Sequence, residues 1–119
     1  MQDHRKLKAF ELADQLVVDV YLATRSFPRE EIYGLTSQMR RTAVSVAANI
    51  VEDCGRETIK EYIHFLNIAF GSLRELGYYF ELSMRLGFIE EKQAESLNKK
   101  YDETARVLSG LISSLRAKL

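Results

Sequence analysis

Glu61 and His64 stand in a Glu-x-x-His pattern, the ligand pair that bundle proteins use to hold two iron ions. Such a centre needs a second pair and two further inward carboxylates. The only other histidine is His4, which has no Glu at the matching offset. His64 also falls on the polar side of its helical pattern, so a surface histidine is the expectation and no metal or cofactor is assigned. Cys54 lies at the end of a helical stretch, where the helix dipole raises a thiol's pKa and does not activate it. Ser45 has no histidine near it in sequence. The chain carries no G-x-S-x-G elbow and no glycine-rich phosphate loop. No catalytic residue and no small-molecule site is therefore assigned, and the chain reads as a non-enzyme.

The stretch that resists a generic explanation is Thr36 to Arg56. Gln38, Arg41, Ser45, Asn49 and Glu52 recur at spacings of three and four, which puts them on one helical face. The flanks of that face are small and apolar. A narrow polar seam between apolar flanks points to ordered polar contacts. They would form a structural network that fixes the register of helices or subunits. A ligand site is the alternative. On this reading Asn49→Ala or Arg41→Ala lowers thermal stability or breaks assembly.

Basic residues scatter in small groups: Arg5, Lys6 and Lys8; Arg40 and Arg41; Lys99 and Lys100; Arg116 and Lys118. Each group has acids nearby, as on solvated helix faces. Lys plus Arg and Asp plus Glu number 17 each, a balance that weighs against a dedicated nucleic-acid binder. A local basic face can still form, and Arg40, Arg41 and Arg56 are the candidate phosphate contacts.

Four amphipathic helices must position these residues. Over about Lys6 to Ser26 the stripe is Phe10, Ala13, Val17, Val20, Tyr21, Thr24 and Phe27, with Leu7, Val18 and Leu22 as a second one that could face a partner. Phe27-Pro28 ends that helix. Pro28 to Glu31 opens a short turn, and Thr36 or Ser37 is the expected N-cap of helix 2, which runs to about Cys54 with Gly55 behind it. Thr58 and Glu61 make a capping box for a third helix to about Leu86. Its core stripe is Tyr62, Phe65, Leu66, Ala69, Leu73, Leu76, Phe80 and Met84. Gly71 and Gly77 inside it suggest close approach of another backbone. Gly87 is a stop signal, and helix 4 carries Ala94, Leu97, Tyr101, Ala105, Leu108, Ile112, Leu115 and Leu119 at near-heptad spacing, widened by Leu111.

Short links between long helices predict an all-α, antiparallel up-and-down four-helix bundle spanning residues 1–119 as one domain. Composition agrees: 46% hydrophobic and 29% charged residues are ordinary for a globular chain. A single cysteine fits a reducing cytoplasm, acids interrupt any signal-peptide core, and no apolar run reaches a membrane span.

Phe27-Pro28 with Glu31, then Tyr33-Gly34-Leu35-Thr36-Ser37-Gln38, Arg40-Arg41, Ser45, Asn49-Ile50 and Glu52 form an ordered series. Phe65-Leu66, Ile68-Ala69, Gly71-Ser72-Leu73 and Glu75-Leu76 continue it. In these residues the chain resembles the 23S ribosomal RNA intervening-sequence protein family, over roughly residues 10 to 90. One departure is Asp53, where the family pattern has Gly, with Gly55-Arg56 following. The resemblance implies a four-helix bundle assembled as a ring-like homo-oligomer, a pentamer being favoured. It implies little about activity; an interaction or scaffold role is read instead from the absent catalytic signatures and the surplus apolar positions on helices 1 and 2. A related bundle family, the accessory proteins of diversity-generating retroelements, binds a reverse transcriptase and nucleic acid. By that analogy, a nucleic-acid- or ribonucleoprotein-associated role, with RNA or DNA as partner, is the alternative.

Overall fold

The computed structural model describes residues 4–52 and 58–119. Four helices follow in order: α1 (His4–Thr24), α2 (Leu35–Val51), α3 (Ile59–Arg85) and α4 (Glu91–Arg116). A 3-10 turn, Arg29–Glu31, sits between the first two. Each helix packs on its chain neighbours and α4 returns to α1, while α1 and α3, like α2 and α4, face one another across the core. This is the up-and-down bundle that the periodicity predicts, 45 × 25 × 17 Å in extent.

The core is one cluster fed by all four helices, with Leu16, Val20, Met39, Ile50, Leu66, Leu73, Leu76, Phe80, Leu108 and Leu115 almost wholly buried. Its edges differ from the sequence expectation. On α1 the buried line is Ala9, Ala13, Leu16, Val20, Ala23 and Thr24. Tyr21 is 43% exposed, and Phe10 and Val17 only flank the cluster. On α3 Ser83 is buried and Met84 is exposed, the reverse of what hydrophobicity suggests. The reason is a hydrogen bond: the Ser83 hydroxyl donates to Met39 Sδ at 3.3 Å, so its polarity is satisfied inside the core. On α4, Thr104 is buried with its hydroxyl donating to Lys100 O, and Leu119 is exposed.

The helix ends also sharpen. The N-cap of α2 is Gly34, and Thr36, expected there, is buried as the second residue of the helix. The capping acceptor comes from the preceding turn instead, where Glu31 Oε1 receives the Leu35 N–H at 3.0 Å. A carboxylate at that position also complements the helix dipole. Thr58 caps α3 as expected, its hydroxyl accepting the Glu61 N–H at 3.1 Å. Gly87, at φ 77°, closes α3 with Phe88 N–H on Ser83 O and Gly87 N–H on Met84 O, a Schellman pair. The expected Gly55 cap, like Cys54, lies outside the described residues.

Three contacts tie the ends of the bundle. Phe27 and Phe88 rings meet at 5.4 Å, joining the α1–α2 elbow to the α3–α4 turn. At the other end Tyr62 OH donates to Ile50 O at 2.9 Å. There too Arg5 reaches the Ser114 hydroxyl at 3.5 Å. Along the side, Lys100 Nζ meets Asp19 Oδ2 at 2.6 Å and holds α4 on α1.

The two α3 glycines have different surroundings. A Cβ on Gly77 falls 2.8 Å from the Tyr101 ring, so the close approach there is by a side chain and not a backbone. A Cβ on Gly71 meets nothing within 4 Å. Gly71→Ala is therefore expected to stabilise the protein by about 0.5–1 kcal/mol through helix propensity. Gly77→Ala gains less because Tyr101 must move. Thermal unfolding followed by circular dichroism separates the two variants.

Candidate functional site

The polar seam of α2 meets a matching polar line on α3. Ser45 Oγ and Ser72 Oγ share a hydrogen bond of 2.9 Å. Asn49 Nδ2 donates back to Ser45 O at 2.8 Å and to Ser45 Oγ at 3.2 Å. Two helical turns along, Tyr79 OH donates to Glu75 Oε2 at 3.4 Å, and Gln38 also hydrogen-bonds the phenol. Of the seam residues, Ser45 and Asn49 are half-buried, while Gln38, Arg41 and Glu52 are exposed, so the seam is an edge between α2 and α3 rather than a buried ladder. Ser72, Glu75 and Tyr79 complete it. Only Ser72 and Glu75 are singled out by the sequence, as part of the family-like series.

Burial of the Tyr79 phenol, followed by the negative charge of Glu75, raises its pKa above the ordinary value, while the hydrogen bond from Gln38 opposes the shift. A raised folded-state pKa stabilises the fold below the ordinary phenol pKa, and that contribution is lost as pH rises through the raised value. Tyr79→Phe should accordingly flatten the fall in melting temperature above about pH 10, measured by alkaline thermal melts.

The adjacent arginines of α2 have opposite fates. Arg40 is half-buried against the end of α1. Its Nε donates to Thr24 Oγ1 at 2.8 Å, an Nη donates to Tyr21 O at 3.4 Å, and its guanidinium lies 4.7 Å from the Tyr21 ring centroid. The Thr24 hydroxyl itself donates to Val20 O at 2.8 Å. Arg40 thus reaches one of the last carbonyl groups of α1, that of Tyr21, and places positive charge at the negative end of its dipole. These bonds make it a staple between α1 and α2. Arg41, about 100° further round the helix, points to solvent beside Ile32, Ser37 and Val44. Arg56 lies outside the described residues.

Around this staple the chain forms two contiguous shallow grooves that share Ile32, Thr36 and Arg40. One adds Arg25, Phe27, Pro28 and Arg29, the other Tyr21, Arg41 and Val44. Next to them runs an apolar strip. Phe10, Val17 and Tyr21 share one face of α1; Val44, Ala48 and Val51 share one face of α2. Tyr21, Val44 and Val51 are each more than 40% exposed. Leu7, Val18 and Leu22, the second stripe of α1, are likewise exposed.

Glu61 gives its backbone N–H to the Thr58 cap, His64 is exposed with its ring 5.9 Å from Phe65, and among the described residues no three metal-capable side chains cluster. Among the described residues, too, no helix is long and apolar enough to cross a membrane.

The four packed helices define an all-α up-and-down four-helix bundle. The family model for the 23S rRNA-intervening sequence protein matches residues 5–110 of the chain, which therefore belongs to that family. A crystal structure of a protein of unknown function from the S23 ribosomal protein family of Bacteroides thetaiotaomicron superposes with a TM-score of 0.81 at 25% identity, covering 92% of this chain and 98% of the other. Comparison with curated proteins yields no match.

Loss of the Arg40 bonds in Arg40→Ala is expected to cost about 1–2 kcal/mol, and loss of the Asn49 bonds in Asn49→Ala about 0.5–1.5 kcal/mol. Arg41→Ala should stay within about 0.5 kcal/mol of wild type, as exposed substitutions do. Urea unfolding of the three variants checks that order and revises the sequence expectation for Arg41.

Proposed function

We propose that this protein is a non-catalytic interaction module that assembles with copies of itself and serves as a scaffold. The observation that carries this reading is an apolar strip in which Tyr21, Val44, Ala48 and Val51 are exposed, continued along α1 by the half-buried Phe10 and Val17. The exposed members are not needed by the core, which Leu16, Val20, Met39 and Ile50 fill, while Phe10 and Val17 pack on its edge. Apolar surface gathered along two adjacent helices marks a surface that another chain covers. The resemblance in sequence favours a ring of five copies.

Light scattering on the purified protein at micromolar concentration tests the proposal. A homo-oligomer is expected for the wild type. Val44→Glu with Val51→Glu places two charges on the strip at positions the monomer leaves exposed, so the fold should survive and the assembly should dissociate. A wild-type monomer, or an assembly unchanged by both charges, overturns the proposal.

A further inference from the structure

We propose that the α1–α2 elbow binds the sugar-phosphate backbone of a single-stranded nucleic acid. This goes beyond the scaffold reading and does not depend on it. Four arginines, Arg25, Arg29, Arg40 and Arg41, line the two contiguous grooves. They come from the end of α1, the 3-10 turn and α2, so only the folded elbow gathers them. The acids on the elbow itself are Glu30 and Glu31, and the Glu31 carboxylate is engaged with the Leu35 N–H at 3.0 Å; Glu90 and Glu91 lie across the pole at the start of α4. The side chains of Arg25, Arg29 and Arg41 have no hydrogen-bond or ion-pair partner among the described residues. A protein with zero formal net charge therefore carries a locally basic elbow.

The form of that end selects the ligand. A guanidinium fork pairs with phosphate oxygens in a way that an ammonium does not. Arg41 lies about 9 Å along α2 from its first residue, while Arg25 and Arg29 sit at the opposite side of the elbow. Together they span more than one phosphate. Tyr33, 94% exposed and next in the chain to the groove-lining Ile32, is the aromatic side chain free to stack, while the Tyr21 ring already carries the Arg40 guanidinium. Charge along a groove with flanking aromatics is the recurring design for unpaired strands, whose bases are free to stack. Arg40 is the positioning residue here, since its bonds to Thr24 and Tyr21 hold the grooves together.

The test is fluorescence anisotropy with a short mixed-sequence single-stranded RNA, repeated with DNA of the same sequence. With about three phosphates neutralised, affinity should fall roughly 20-fold between about 50 and 200 mM salt. Arg25→Ala, Arg29→Ala and Arg41→Ala combined should lose at least tenfold at low salt while keeping the wild-type melting temperature, because these side chains make none of the described bonds. Tyr33→Ala should weaken binding about fivefold or more. A control that removes as much positive charge from α4 and its C-terminal end, away from this pole, Lys99→Ala with Arg106→Ala and Lys118→Ala, should bind like wild type. Absence of binding at low salt overturns the proposal, as does equal loss in the α4 control. Arginine-dependent binding confined to inorganic tripolyphosphate, or to vesicles of anionic phospholipid, overturns it too and reassigns the elbow to a small anion or a membrane surface.

Discussion

Each of the four helices has to bury one stripe along a shared axis, and that constraint governs everything else on this molecule. A helix in an up-and-down bundle has two neighbours and one free face. Residues outside the central stripe either flank a neighbour or meet solvent. The stripes here are rich in alanine where α1 meets α2, with Ala9, Ala13, Ala43 and Ala47 all buried. Small residues let the helices approach closely, and the larger apolar side chains are pushed to the flanks. Phe10, Val17, Tyr21 and Val44 are displaced in this way, and the apolar strip follows from the narrowness of the core.

The same geometry separates polar functions by edge. The α2–α3 edge carries hydroxyls and amides that satisfy one another, Ser45 with Ser72 and Asn49 with Ser45. The α1–α4 edge is closed by the Lys100–Asp19 ion pair. The α1–α2 edge ends in arginines, one turned inward and the others outward. Thr24 shows how the inward one is accommodated. Its hydroxyl donates to Val20 and accepts from Arg40, so a buried polar group completes its bonds while it fixes the elbow.

Element type and order were legible because hydrophobic periodicity is a local signal, and the Thr58 cap and Gly87 stop were legible as local chemistry. What failed required knowledge of a partner. Leu16 and Ala23 are buried on α1 where the periodicity favours Phe10, Val17 and Tyr21, because apolar residues ring much of this helix and only packing against its neighbours sets the rotation. Thr36 resembled a cap until Glu31, four residues before Leu35, took that role. Ser83 is buried because Met39 sulfur lies opposite, a coincidence of register between α2 and α3. Arg40 and Arg41 are neighbours of the same type, and the end of α1 alone distinguishes them. The seam was visible as a face of α2; Tyr79, the partner that Gln38 finds on α3, was not.

An even number of antiparallel helices gives the molecule two unlike poles. The Phe27–Phe88 contact marks one, where both inter-helix turns and the arginines gather. Arg5 beside Ser114 marks the other, where α1 begins and α4 finishes. Polypeptide joined to either end of the bundle emerges from this second pole, roughly the length of a helix away from the elbow. A fusion partner or surface tether can therefore be attached without shadowing the basic pole, and copies packed side by side in parallel would present all their basic poles in one direction.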